Sequence, residues 1–146
     1  QQVVKNVLLV AERTYARKIQ ETILARRLEQ SLSKDEILSL YLNHIYFGNG
    51  AYGIEVAAQT YFHTRAKDLT LKQAALLAAV IRAPGTYDPV THMDAARARR
   101  NLVIDRMVEL GWVEPAEAAK AQAKPLGIAK DVGLAYAAIW FSSKCQ

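Results

Sequence analysis

Thr14–Leu32, TYARKIQETILARRLEQSL, is the stretch on which the fold of this chain turns. Ala16, Ile19, Ile23, Leu24, Leu28 and Leu32 recur at spacings of three and four, the period of a helix with one apolar stripe. A helix is expected here with that stripe turned inward and with Arg13, Arg17 and Glu21 on another face. Ser33 followed by Glu36 is a capping box, in which each side chain satisfies an orphan backbone donor of the other. It predicts a break at Ser31–Ser33 and a second helix through Ile37 to about Asn43.

Downstream of that pair, HIYFGNGAYG (His44–Gly53) interrupts the helical pattern with Gly48, Gly50 and Gly53 while supplying Tyr46, Phe47 and Tyr52. It reads as a structured loop. A short helix should follow through Val56, Ala57 and Phe62, and Thr70 with Gln73 forms another capping box ahead of AALLAAVI. Ala83 before Pro84 should end that helix. Asp94–Leu110 is amphipathic again, with Gly111 placed to terminate it, and Pro115 suits the first turn of a last short helix. No sustained alternation, internal repeat or low-complexity tract is present, so the fold class is all-α.

With 146 residues, 51% of them hydrophobic and 23% charged, the chain can build one core and does not resemble a disordered segment. A net charge of +5 suits an anionic partner, whether lipid, diphosphate or nucleic acid, without choosing among them. Cys145 is the single cysteine, which excludes an internal disulfide framework or zinc cluster. The longest apolar run, Ala74–Ile81, is far short of the ~20 residues needed to span a bilayer.

Chemistry is concentrated near the start. Arg13, Arg17 and Lys18 precede Glu21, with Arg17 and Glu21 one helical turn apart. An ordinary solvated ion pair would explain this, but cation before carboxylate is the less favourable order along a helix, so stability alone is a weak reason for it. The opening QQVVKN, then RKIQE (Arg17–Glu21), then KDEILSLYLNHIYFGNGAYGIEVAAQTYF (Lys34–Phe62), then LTLKQAALLAAVIRAPGTYDP (Leu69–Pro89), form an ordered series that resembles the family 51 peptidoglycan glycosyltransferases. These are the glycan-polymerising domains of class A penicillin-binding proteins and of monofunctional transglycosylases. Gln1, Gln2, Lys5 and Asn6 match the end of the QQ-x-x-KN motif, and Arg17, Lys18 and Glu21 match R-K-x-x-E. Asn43, Gly48, Gly53, Ala57, Ala58, Tyr61 and Phe62 match the central motif, and Ala75, Leu77, Ala78, Pro84, Tyr87 and Pro89 match the last.

The resemblance implies part of a lysozyme-like helical domain over residues 1–128, with 129–146 an unassigned tail. It implies polymerisation of lipid II into β-1,4 glycan strands, with release of the lipid diphosphate, at the outer face of the bacterial cytoplasmic membrane. Glu21 corresponds to the family's second glutamate and is the candidate catalytic residue; it could orient cations, assist the leaving group or hold a divalent cation (Mg or Mn). Gln1, Gln2, Lys5, Asn6, Arg17, Lys18 and Asn43 are the candidate substrate-binding residues, with Lys5, Arg17 and Lys18 suited to the diphosphate because positioned cations stabilise departing charge. The family's general base lies in an E-D-x-x-F motif upstream of QQ-x-x-KN, so a truncated N-terminus and inactivity of the fragment alone are expected. No organic cofactor is expected. The implied partners are lipid II, the nascent glycan and the membrane surface, without nucleic acid. A transpeptidase domain in a longer parent is left open, since no S-x-x-K signature is present here.

Two other functions compete. A lysozyme-like lytic enzyme would need an acid against the glycosidic oxygen and has no use for a diphosphate-binding cation set. A basic helical nucleic-acid-binding module would need a recognition motif, and none is visible. His44, His63 and His92 lack metal-ligand spacing and read as solvated or locally bonded. Tyr46, Phe47 and Tyr52 read as loop anchors more than sugar-stacking rings. Arg97, Arg99, Arg100 and Arg106 read as a solvated helix face.

Overall fold

A computed structural model describes residues 15–134 of the chain. The chain divides after Ile45 into two compact units. In the first, α1 (Tyr15–Ser31) packs against α2 (Lys34–His44). The expected capping box joins them: the Ser33 amide donates to Glu36 Oε2 at 2.7 Å, and the Glu36 amide donates to Ser33 Oγ at 3.2 Å. Those bonds from Ser33 hold the Glu36 carboxyl below its ordinary range, because they favour the ionised form.

The inward face of α1 is only partly the one the apolar spacing predicts: Leu24, Leu28 and Leu32 are half-buried as expected, the others are not. Ile19 and Ile23 are 62% and 48% exposed, and Ala16 is exposed too, whereas Glu21 is only 3% exposed. Arg17, Leu24, Ala25 and Leu28 are half-buried around it, so the buried stripe runs 17–21–24–28. A helix with apolar residues on two sides cannot bury both. Which side turns inward is set by packing partners outside the helix, and a carboxylate can take the inner place when cations accompany it.

The second unit contains α3 (Ile54–Phe62), a 3-10 turn (Ala66–Asp68), α4 (Leu71–Arg82), α5 (Met93–Glu109) and α6 (Pro115–Ala123). Among the described residues there is no strand, only an isolated bridge between Tyr46 and Tyr52, so the all-α class holds. Helix α4 is central and packs against α3, α5 and α6. Its alanines let the other backbones come close. Ala75 joins Ile104, Ala118 and Ala121 in one cluster, and Leu76 and Val80 join Ala96 and Leu126 in another. Burying each larger side chain contributes ~1.5–3 kcal/mol.

The boundaries fall where local chemistry places them. Thr70 and Gln73 form their capping box, α4 stops at Arg82 ahead of Ala83–Pro84, Gly111 takes φ 73° after α5, and Pro115 opens α6. The arginines of α5, however, are not one solvated face. Arg100 is fully buried, donating to the Lys124 and Gln122 carbonyls at 3.0 and 2.9 Å and to Asn101 Oδ1. It closes the C-terminal end of α6, where carbonyls lack helical partners and a cation is favoured. Burial, and secondarily Arg97, lower its pKa. Arg99 lies over the Tyr87 ring at 5.7 Å, and Arg106 pairs with Glu109.

Residues 126–134 return to the second unit. Leu126 and Val132 are buried, and the Ala129 amide donates to the Tyr61 carbonyl at 2.8 Å.

Candidate functional site

On α1, spacing of three and four residues brings two cations to one acid. Arg17 Nε is 3.0 Å from Glu21 Oε1, and Lys18 Nζ is 3.6 Å from Oε2. The two cations differ in what they can still do. The Arg17 side chain is largely covered, while that of Lys18 is 69% exposed and can meet a ligand without breaking the core. Glu21 is therefore not a solvated helix-face residue. It is a buried carboxylate whose two oxygens are each turned to a cation, an arrangement that fixes the position of positive charge near the surface. Beside Lys18, the exposed Tyr15, Ile19 and Ile23 with Thr22 line a shallow apolar groove of about 320 Å³.

Glu21, Arg17 and Lys18 are thus brought together. Asn43 is exposed near the end of α2, and its amide donates to Ser39 Oγ at 3.4 Å within the same helix. Gln1, Gln2, Lys5 and Asn6 lie outside the described residues. A divalent cation does not fit Glu21 as it stands, since both carboxylate oxygens already face cations. Among the described residues no group of three His, Cys, Asp or Glu side chains could hold a metal ion.

The central motif has a different role, and it is a structural one. In the second unit, Phe47, Ala57, Ala58 and Tyr61 are fully buried. The Tyr61 hydroxyl donates to the Phe47 carbonyl at 2.7 Å and accepts from Asn49 Nδ2 at 3.0 Å. The same Asn49 amide donates to Asp88 Oδ1 at 3.1 Å, and Asp88 Oδ1 also accepts the Val90 amide at 2.9 Å. Burial pushes the Tyr61 hydroxyl up to about 12. Loop 46–53 is thereby tied to the turn after α4, and it presents Tyr46 and Tyr52 outward with ring centroids 4.7 Å apart.

Phe47 is the anchor its sequence context suggested; Tyr46 and Tyr52 are exposed. Reading from residues alone missed Asn49 and Asp88. Their signals were present: asparagine tolerates the left-handed region that Asn49 occupies at φ 49°, and Asp before Pro favours a side-chain-capped turn. Two of the histidines are locally bonded, His44 to the Leu40 carbonyl and His92 to Thr91, whereas His63 meets Asp131, 68 residues further along the chain.

The profile of the Transglycosylase family matches residues 1–108. Penicillin-binding protein 1A of Aquifex aeolicus (strain VF5) is 48% identical over 131 residues, 90% of this chain and 18% of that protein. Penicillin-binding protein 1F of Bacillus subtilis (strain 168) is 43% identical across 88% of this chain and 18% of its own length. Penicillin-binding protein 1A of Escherichia coli (strain K12) is 50% identical across 77% of this chain and 13% of its own. The chain therefore spans less than a fifth of these curated relatives. The crystal structure of penicillin-binding protein 1A from Haemophilus influenzae superposes with a TM-score of 0.64 at 38% identity, covering 70% of this chain and 15% of that one. The lysozyme-like helical architecture is shared, and neither the lytic nor the nucleic-acid reading finds support among these relatives. On the extent of that profile and on these identities, the chain belongs to the transglycosylase family.

Proposed function

We propose that this chain is part of a peptidoglycan glycosyltransferase that polymerises lipid II into β-1,4 glycan strands with release of the lipid diphosphate. The observation that carries this reading is the buried Glu21 with Arg17 and Lys18 on its two oxygens, in the order of the family motif. Inverting transfer from a diphosphate-linked sugar needs a base for the acceptor hydroxyl and positive charge for the departing diphosphate. Lys18 supplies charge at the surface, Arg17 and Glu21 hold it in place, and Lys5 is its candidate companion. Glu21 acts as a positioning acid for the cations or as an assistant to the leaving group. The base is the glutamate that the family carries upstream of the QQ-x-x-KN motif.

Residues 1–128 form the later part of that catalytic domain, and 129–146 are assigned no part in the reaction. The working location is the outer face of the bacterial cytoplasmic membrane. Its partners are lipid II, the growing glycan and the membrane surface, with a transpeptidase domain in the parent where one follows. Among the described residues no helix is long and apolar enough to cross a membrane. The apolar groove beside Lys18 suits the start of a lipid-linked diphosphate. The test is glycan-strand formation from purified lipid II by the full-length parent, by its Lys5→Ala and Glu21→Gln forms, and by the present chain alone. Strands are expected from the parent, and none from the chain alone. Undiminished polymerisation by both variants would refute the assignment.

A further inference from the structure

Tyr61 is bonded at both ends. Its backbone carbonyl accepts the Ala129 amide at 2.8 Å, while its hydroxyl donates to the Phe47 carbonyl at 2.7 Å and accepts from Asn49 at 3.0 Å. The first bond belongs to residues 129–134 and the others to the glycine loop 46–53. One further contact and two features of position set the later stretch beside this node. Asp131 Oδ1 is 2.8 Å from His63 Nε2, just past the end of α3; Val132 is buried; and a Cβ added at Gly133 would lie 3.8 Å from Asn49 Oδ1. Any side chain at Gly133 would thus start within van der Waals distance of the Asn49 oxygen, while the Asn49 amide nitrogen closes the bond to Asp88 at 3.1 Å.

We propose that residues 129–134 are a strap that sets the order of loop 46–53, latched by His63 and Asp131 and coupled to the loop through Tyr61 and Asn49. Tyr61 is fully buried, so it is a fixed node on which both segments hang. The latch is of the opposite kind. His63 and Asp131 are both exposed, and exposed pairs hold weakly, so the strap can release without unfolding the helices beneath it. Release frees the oxygen side of Asn49 and loosens the loop that presents Tyr46 and Tyr52.

Amide hydrogen exchange tests it in the intact chain. The Phe47 and Ala51 amides close the loop by bonding to the Ala51 and Gly48 carbonyls at 2.8 and 2.9 Å, and they report its order. Asp131→Ala should speed their exchange about two- to fivefold, the range expected for losing an exposed pair. The amides of α4 should not change. His63→Asn, which tolerates the left-handed backbone at that position, should do the same, and the double variant should add nothing because both remove one latch. Unchanged exchange at Phe47 and Ala51, an equal rise in α4, or additive effects in the double variant would each overturn the proposal.

Discussion

Gly48 sits directly against the hydroxyl of Tyr61: a Cβ built on it would lie 3.0 Å from that oxygen. The glycine also has φ 83°, a left-handed backbone that other residues adopt at a cost. Both constraints come from the same bond, since the loop must pass this close for Tyr61 to reach the Phe47 carbonyl.

Gly48→Ala should therefore cost more than its backbone alone requires. Gly111 has φ 73° with nothing within 4 Å of its Cβ position, so Gly111→Ala carries only the conformational cost, ~1–2 kcal/mol. Gly48→Ala should exceed it measurably in urea unfolding. Equal midpoints for the two variants would show that the contact with Tyr61 is relaxed at no cost.

Tyr61→Phe removes a buried hydroxyl and leaves the Phe47 carbonyl and one Asn49 hydrogen without their partner. A loss of ~1–3 kcal/mol is expected, read as a fall in melting temperature. The pH dependence follows in sign. Burial raises the folded-state value of this acid from its ordinary 10 to about 12. The unfolded chain therefore gives up the proton first, and the stabilisation is complete below pH 10 and is lost as pH rises toward 12. The wild-type chain should lose stability in that window more steeply than Tyr61→Phe; parallel curves would remove Tyr61 as the cause.

Arg100→Lys keeps a charge but loses the fork that meets the Lys124 and Gln122 carbonyls together. A cost of ~1.5–3 kcal/mol is expected from losing charged hydrogen bonds. Arg97→Lys on the exposed side of the same helix should be near neutral. Equal melting temperatures for the two variants would return Arg100 to the solvated face.

Lys18→Gln and Glu21→Gln in the full-length parent separate chemistry from packing. Lys18 is well exposed, so its loss should leave melting unchanged while polymerisation falls, on the order of 10²-fold by analogy with removal of one charge-stabilising donor. Glu21→Gln should lower turnover severely and also stability, because Glu21 is buried and its cations then lack a counter-charge. Lipid II binding should change less than turnover in both. Full turnover by Lys18→Gln would remove that lysine from the site.

Residue order alone determined where this chain makes and breaks its helices. The Ser33–Glu36 and Thr70–Gln73 boxes, Pro84, Gly111 and Pro115 act within about four residues of themselves, and each boundary falls where they put it. The ordered motifs likewise determined the family. Tertiary structure decided which face of α1 turns inward, that Arg100 of the four α5 arginines is the buried one, and that Asn49 meets Asp88. Those outcomes depend on partners distant in sequence: Asn49 and Asp88 are 39 residues apart, and Arg100 reaches a carbonyl 24 residues on. Periodicity shows that a helix has an apolar side. When two sides compete, only the surfaces available to pack against, and cations close enough to accompany a buried carboxylate, choose between them.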